Sequence, residues 1–464
     1  NSSEVEDNLF DLSINYGALI PENEPTWRYV LNGLTGGYVA GYSDRYFYNQ
    51  DMTYTHTEFR DIWNYHLQLT QKEKTLLILH LWEIAGKKSQ YYFLTKNCAY
   101  AIGKLLEVVI DKPLTDSANF WYAPVELFSH LEEIHFQRVL HGYTPLILNI
   151  QYIPSSQRFL VAQYNMLDEE MKSVAKDLLQ EKNDIDLKKF LMGKTSLQKQ
   201  QLLDFALAYQ QYRYIKEQPN PTFLTLSLKN KILLERLQLP PSKPTRYQIK
   251  ELLSPTKGQK PLVFSIGIEN RGLLEEYIVF NTIIFSQEST GKNSLDGDEL
   301  TFFDISLGVN RKIFLDQIDY VRIRKLTTNT ISIDTTEKWS WNLKLSTIKD
   351  ERKEHFGKYD HSIIFGTGKA MSFSESKGYA ILDFSTHTLY PYFRIKPKLG
   401  FITELNSQSK ILISYGIENF NDFKKYEHSI NMNYQYVVSP SLSFLVKYQY
   451  KNSHQGTIQL RTHW

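Results

Sequence analysis

One cysteine, Cys98, occurs in 464 residues. An intrachain disulfide framework and a cysteine-based zinc site are therefore excluded. Long apolar runs are also missing. The longest helical one, around Leu76–Leu81, is interrupted by His80 and is too short to span a bilayer, so a transmembrane helix is excluded and a barrel is not. Charge of either sign is not in excess, with a net +2 that makes no case for nucleic acid as a partner. There is no HExxH, no carboxylate pair whose spacing stands out and no histidine-rich cluster, so neither a metal nor a small-molecule cofactor is expected. The glycines of Gly33–Tyr42, GLTGGYVAGY, are not followed by Lys-Ser/Thr and lack dinucleotide spacing. They read as a tight hairpin or loop. The chain starts at Asn1 without a Met or a signal peptide, as a mature chain or a fragment does. Aromatics are what it has in quantity: 14% of residues, 31 of them Tyr, which suits a membrane-facing aromatic belt.

The period of the apolar residues divides the chain in three. Residues 1–157 mix short strands and helices. Thr55–Tyr65 reads as a helix with Phe59, Ile62 and Trp63 inward, and a short helix is expected near Val125–Glu133. Thr70-Gln-Lys-Glu73 reads as a capping box opening the next helix. Residues 158–240 carry three amphipathic helical stretches, separated by Asn, Gly-Lys-Thr and Pro-Asn-Pro breaks, and read as a helical connector. PPSKPT is a linker.

In residues 241–464 the period falls to two. Leu262, Phe264, Ile266 and Ile268 oppose Val263, Ser265 and Gly267. Ile430, Met432, Tyr434 and Tyr436 oppose Ser429, Asn431, Asn433 and Gln435. The last strand, Ile458 to Trp464, ends on an aromatic residue in phase with its apolar face. About twelve such strands with Lys, Arg, Asn and Gln on one face predict an antiparallel outer-membrane β-barrel, apolar outside and polar inside, with Trp341, Tyr434 and Tyr448 facing lipid. The rival is a soluble sandwich with the same alternation turned inward.

The candidate chemistry sits at Tyr91–Val109. YYFL reads as an extended lead-in, Asn97 as an N-cap and Ile102, Leu105, Leu106 and Val109 as one apolar helix face. Cys98 then falls in the first helical turn, where unpaired N–H groups and the helix dipole favour a thiolate. A small buried cysteine packing a helix start is the bland alternative. A base is harder to find. His56, His66, His80, His130, His135 and His141 lie in the first domain. With the cysteine first, the candidates are His135 or His141, in a strand-like IHFQRVLH. With a permuted order, His56 is the nearest.

The motifs Arg-Asp-Ile-Trp-x-Tyr at 60–65, Leu-Trp-Glu at 81–83, Tyr-Tyr-Phe-Leu at 91–94, Asn97-Cys98 and the glycine-rich segment together resemble the Lnb N-terminal periplasmic domain family over roughly residues 8–156. The resemblance implies a permuted, papain-like α+β fold of the NlpC/P60 type, so the whole reads as an α+β papain-like domain, a helical connector and a C-terminal barrel. The helices at 158–238 and Ser-Trp-Asn at 340–342 are similar to longer members with a barrel-like C-terminal domain. By resemblance Asn97 and Cys98 are the catalytic residues, and the base is a histidine on a Gly-His strand upstream of the segment matching NYGAL, before residue 1. The implied activity is a cysteine-dependent transfer or hydrolysis of acyl groups on lipid or lipoprotein, in a periplasmic domain held in the outer membrane, with outer-membrane lipid as partner. Two alternatives are a peptidoglycan amidase or endopeptidase, which needs charged groups where an acyl site needs an apolar groove, and a non-enzymatic barrel with a degenerate periplasmic domain and an open lumen.

Overall fold

The structure is a computed structural model. It describes residues 10–110, 112–115, 121–180, 186–217, 223–240, 247–249, 252–271, 276–291, 298–329, 331, 333, 338–350, 355, 357–373, 376–420, 426–451 and 453–464. The linker expected at PPSKPT lies mostly outside them. The chain forms two compact units, 1–252 with 330–333, and 253–329 with 334–464.

The first unit begins with β1 (Leu12–Ala18), α1 (Thr26–Thr35), β2 (Tyr38–Tyr46), α2 (Phe47–Asp51) and a π-helical turn (Met52–Thr57). Next come β3 (Ile62–Leu67), α3 (Gln71–Ile84), β4 (Lys88–Tyr91), α4 (Cys98–Ile110), α5 (Pro124–Leu140) and β5 (Ile147–Ile153). Strands β1, β2 and β4 make one antiparallel sheet in the order β1-β2-β4, and β3 pairs with β5. The expected capping box is present: Thr70 Oγ1 accepts the Glu73 N–H and the Glu73 carboxylate accepts the Thr70 N–H at 2.6 Å.

Three local expectations need correction. Thr55–Tyr65 is not one helix. It is the end of a π-helical turn followed by β3, because Trp63 and Tyr65 pair across to β5 and stack there on Tyr152 and, through α5, on Phe128. The segment IHFQRVLH is not a strand but the last turns of α5, which runs on to Leu140. The Gly33–Tyr42 stretch is not a hairpin. Gly33 lies in α1, Gly36 is its left-handed C-cap with φ 81°, and β2 starts at Tyr38.

The core of this part gathers Val109 and Ile110 on α4, with Leu127 and Leu131 on α5 and Leu114 and Leu146 from the loops, and Leu105 of α4 is buried as well. Ile102 and Leu106 complete the apolar face. The described residues of 156–237 form five helices rather than three: α6 (Ser156–Met166), α7 (Glu169–Gln180), α8 (Leu187–Leu191), α9 (Ser196–Lys216) and α10 (Phe223–Leu237). They enclose a second core around Met171, Leu178, Leu202, Phe205 and Ile232, to which Ile331 and Ile333 of the same unit also belong.

The second unit is a closed barrel of twelve strands. They are β6 (Leu262–Asn270), β7 (Glu276–Ile284), β8 (Glu299–Asn310), β9 (Lys312–Lys325), β10 (Ser340–Lys349), β11 (Tyr359–Phe373), β12 (Ser376–His387), β13 (Phe393–Asn406), β14 (Ser409–Phe420), β15 (Tyr426–Ser439), β16 (Leu442–Lys451) and β17 (Ser453–His463). Each pairs antiparallel with the next in sequence, and β17 closes on β6 with Ile458 opposite Ile268. The faces are those of a membrane barrel. Phe264, Ile266, Trp341, Tyr434, Phe444, Val446 and Leu460 are exposed, while Ser265, Asp319, Arg324, Ser385, Gln435, Gln459 and Arg461 are buried inside. A soluble sandwich would show the opposite.

The lumen is closed at the end where the chain joins the barrel. Segment 285–291, between β7 and β8, folds inward. The Lys410 ammonium donates to the carbonyls of Gln287 (2.8 Å) and Ser289 (3.2 Å), and Asn433 donates to Glu288 at 2.8 Å. Gln259 links this plug to the wall: its carbonyl accepts from the Thr290 N–H (3.0 Å) and Gln435 (2.6 Å). Arg461, fully buried, donates to Ser286 (3.1 Å) and faces Glu288 (3.5 Å).

Candidate functional site

The turn between β4 and α4 is built by Asn97. Its side chain is buried and uses both ends of its amide. Nδ2 donates to the carbonyls of Phe93 (3.1 Å) and Tyr122 (2.6 Å), and Oδ1 accepts the Tyr100 N–H at 3.1 Å. That last bond is the N-cap of α4. The others tie the turn to the segment leading into α5. Asn97 is therefore saturated by protein and acts on the shape of the turn rather than on a ligand.

Cys98 follows as the first residue of α4 and is half-buried. The Tyr91 phenol lies beside the start of α4, where the Cys98 thiol and backbone N–H both act on it. Burial pushes the Tyr91 phenol well above its ordinary value. The Cys98 thiol adds to that rise and the Cys98 N–H opposes it. Tyr91 in turn stacks on Tyr16 of β1 at 6.2 Å, and Tyr16 meets Tyr42 of β2, its register partner, edge-on at 4.9 Å. The Tyr42 hydroxyl donates to the carbonyl of Ala101, one turn into α4, at 3.1 Å. Burial, with Tyr16 beside it, pushes its phenol up to about 12. Phe93 meets Tyr91 on one side and Tyr29 of α1 on the other, at 6.0 and 4.9 Å.

Two glycines make this aromatic wall possible. A Cβ on Gly33 would lie 2.2 Å from the Phe93 ring, and one on Gly36 would lie 2.3 Å from the Tyr92 ring. The Phe93 N–H also donates to the Gly33 carbonyl at 2.8 Å. The glycine-rich segment thus serves close packing of α1 on the Cys98 turn and cradles no phosphate.

The sequence singles out Cys98 and Asn97, and the structure sets both at the start of α4. It does not bring the candidate bases to them. His135 Nδ1 accepts the Ile147 N–H at 3.0 Å, His141 Nδ1 faces the Gln137 carbonyl at 2.8 Å, and His130 Nδ1 faces that of Leu114 at 2.7 Å. His66 pairs with Gln151 and His80 with Glu83. His56 sits in the π-helical turn. Tyr16, Tyr42 and Tyr91 were missed as site residues. Their signal was their place inside the motifs NYGAL, GYVAGY and YYFL.

Residues 1–133 match the family model of the Lnb N-terminal periplasmic domain. No curated protein matches the chain. Similar solved structures include the NanC porin, at 8% identity over 44% of this chain and 98% of that one, with a TM-score of 0.29. OmpT of Vibrio cholerae lacking loop L8 matches at 5% over 45% and 100%, with a TM-score of 0.23. Omp33 of Acinetobacter baumannii matches at 7% over 44% and 99%, also at 0.23. Such scores add nothing to the barrel's own geometry.

Proposed function

We propose that this outer-membrane barrel protein, with its Lnb N-terminal periplasmic domain, is a thiol enzyme that transfers or hydrolyses acyl groups on lipid or lipoprotein. The observation that carries the reading is the wall around Cys98. Tyr91, Tyr16, Tyr42, Phe93 and Tyr29 surround the start of α4 with aromatic rings. An acyl chain is accepted by such a surface. A peptidoglycan peptidase instead needs charged groups there to hold its substrate's ends, which speaks against that alternative.

In the proposed reaction the Cys98 sulfur attacks the acyl carbonyl and displaces the donor's alkoxide, which leaves with a proton. The thioester then passes its acyl group to an amine or to water, and the thiol is restored. The oxyanion donor would come from the Ala99 amide, because the Tyr100 amide is held by Asn97 and the Cys98 amide faces Tyr91. Asn97 positions the nucleophile. The Tyr91 phenol lies beside the thiol. The base is the histidine that the family resemblance implies.

Helix α3 supports a lipid setting. It is apolar on both faces, and Leu76, Ile78, Leu79 and Trp82 stay exposed. Lys72 and Lys74 precede that patch, and Lys87 and Lys88 follow it. Exposed apolar side chains of this size, with lysines at both ends that share the flanks with Glu73 and Glu83, suit a lipid surface. The plugged lumen speaks against the open, non-enzymatic barrel.

The test uses the full-length protein in native outer membranes or in micelles with added phospholipid, followed by intact mass measurement. A hydroxylamine-sensitive acyl adduct on Cys98, absent in Cys98→Ala, is expected. No adduct, together with unchanged lipid turnover in Cys98→Ala, would end the proposal. Cleavage of peptidoglycan fragments that depends on Cys98 would favour the peptidase instead.

A further inference from the structure

The barrel lumen holds a second set of groups with the geometry of nucleophilic catalysis, independent of Cys98. Ser385 and His387 lie two residues apart on β12, so both side chains point to the same, inner face. His387 Nε2 is 2.9 Å from Ser385 Oγ, and His387 Nδ1 is 2.8 Å from Asp360 Oδ2 on the neighbouring strand β11. The tautomer follows from the partners: Nδ1–H donates to the carboxylate, which leaves Nε2 to accept the serine proton. The Ser385 hydroxyl has one alternative acceptor, the Arg394 carbonyl, at the longer distance of 3.3 Å.

Asp360 is held firmly. Its Oδ1 accepts the backbone N–H groups of Thr388 and Leu389, each at 3.1 Å, and its Oδ2 also accepts from Arg394 Nη2 at 3.0 Å. Arg394 is itself fixed by Glu418 at 3.1 Å. The carboxylate therefore orients the imidazole and is itself held by Arg394, as the third member of such a set must be. Ser385, His387 and Asp360 all line one lumen cavity of about 720 Å³. Lys396, on β13 beside β12, lines it too.

We infer that Ser385, His387 and Asp360 form a serine esterase site in the barrel lumen, acting on small polar carboxylic esters. The charge pattern of the cavity sets the substrate class. Asp304, Asp383 and Glu418 share its wall with Arg322, Lys344 and Lys398, a surface for a polar or zwitterionic molecule and not for an acyl chain. The position sets the side of access. β12 runs away from the end where the chain joins the barrel, so its last residue, His387, lies at the far rim, opposite the plug of 285–291.

Each step balances. Ser385 Oγ bonds to the ester carbonyl carbon while its proton moves to His387 Nε2. The bond from that carbon to the alcohol oxygen breaks, and the alcohol leaves with the His387 proton. Water then attacks the acyl-serine with its proton passing through His387, and a carboxylic acid and free Ser385 result. The cations of the adjoining strand β13 that line the same cavity, Arg394, Lys396 and Lys398, are the groups that can face the oxyanion.

The full-length barrel, heat-modifiable on a detergent gel, is treated with a fluorophosphonate probe and digested for peptide mass mapping. Hydrolysis of p-nitrophenyl acetate is followed in parallel. One adduct is expected on Ser385, lost in Ser385→Ala and retained in Cys98→Ala. His387→Gln should slow labelling by about 100-fold or more, the share a positioned base commonly supplies. A folded barrel without an adduct at Ser385, or labelling that is equally fast in His387→Gln, would overturn the inference. A purely structural network would leave Ser385 unlabelled in the wild type. Retention of labelling in Cys98→Ala separates this site's fate from that of the thiol site.

Discussion

Placing an arginine on the outer face of β16 tests the barrel's orientation most directly. Val446 is the fifth of the ten residues of β16, exposed on the outside, with Tyr434 and Ile458 as register partners on either side. With the strand tilted by about 45°, it falls near mid-height of the apolar band. Arg there should destabilise the membrane-folded state by about 2–4 kcal/mol, which is roughly a 30- to 700-fold change in the folding equilibrium. Phe444 lies two residues nearer the end of the strand, and its replacement by Arg should cost less, about 1 kcal/mol or below if it reaches the interface. Gln449, on the inner face and lining the cavity, is the control, and Gln449→Arg should be tolerated. Ser443 cannot serve as that control, because it is fully buried and bonded to His463 at 2.8 Å where the plug fills the lumen, so an arginine there would overpack it. Urea titration of the full chain in phospholipid vesicles, with heat-modifiable gel migration as the readout, measures the differences. If Gln449→Arg costs as much as Val446→Arg, the faces are reversed and the membrane reading fails.

Three further outcomes concern the first unit and the junction. The Glu107 carboxylate accepts from the Leu114 N–H, the Thr115 N–H and Thr115 Oγ1, each at 2.8 Å, and from Lys104 at 2.8 Å. Burial pushes Glu107 up, but Lys104, Thr115 and Leu114 outweigh it and hold the group below its ordinary value. Its contribution is therefore complete above the unfolded value near 4.5 and is lost as pH falls through the lower folded value. Glu107→Ala should cost about 1–3 kcal/mol at neutral pH and flatten that acid step in calorimetry. Gly33→Ala should lower the melting temperature of the first unit despite its better helix propensity, because the new methyl meets Phe93, and it should speed alkylation of Cys98 as the aromatic wall loosens. Limited proteolysis should spare Gln259, which is buried in the plug, and cut before Ser254 instead. Cleavage at Gln259 in the folded chain would contradict the plug.

The barrel was legible because period two leaves little freedom. Once Phe264, Ile266 and Ile268 face one way, Val263 and Ser265 must face the other, and the same parity holds through to Trp464. What alternation cannot give is the filling of the lumen. The inward fold of 285–291 rests on Lys410, Asn433 and Arg461, distant in sequence from the segment they hold. In the first unit, capping signals were read correctly where the side chain bonds locally, as at Thr70 and Asn97. They misled where a partner strand decides. β3 exists because β5 pairs with it some ninety residues later, against the helical look of its composition.

The same distinction separates the two candidate sites. Cys98 could be picked out from sequence because its surroundings are local: a cap at 97, a helix after it and a strand just before. Ser385 and His387 also carry a local signal, two chemical residues at i and i+2 on a strand. That signal has no meaning until parity is known, since on the outer face the pair would meet lipid. Closure of the barrel makes the face inner, and the β11–β12 register, with Ser362 opposite His387, then brings Asp360 to the imidazole. A triad on a barrel wall is thus a product of register. A one-residue slip of β12 would turn both Ser385 and His387 out of the lumen and break the contact with Asp360. The site and the barrel's apolar exterior stand on the same alternation, and either one constrains the other.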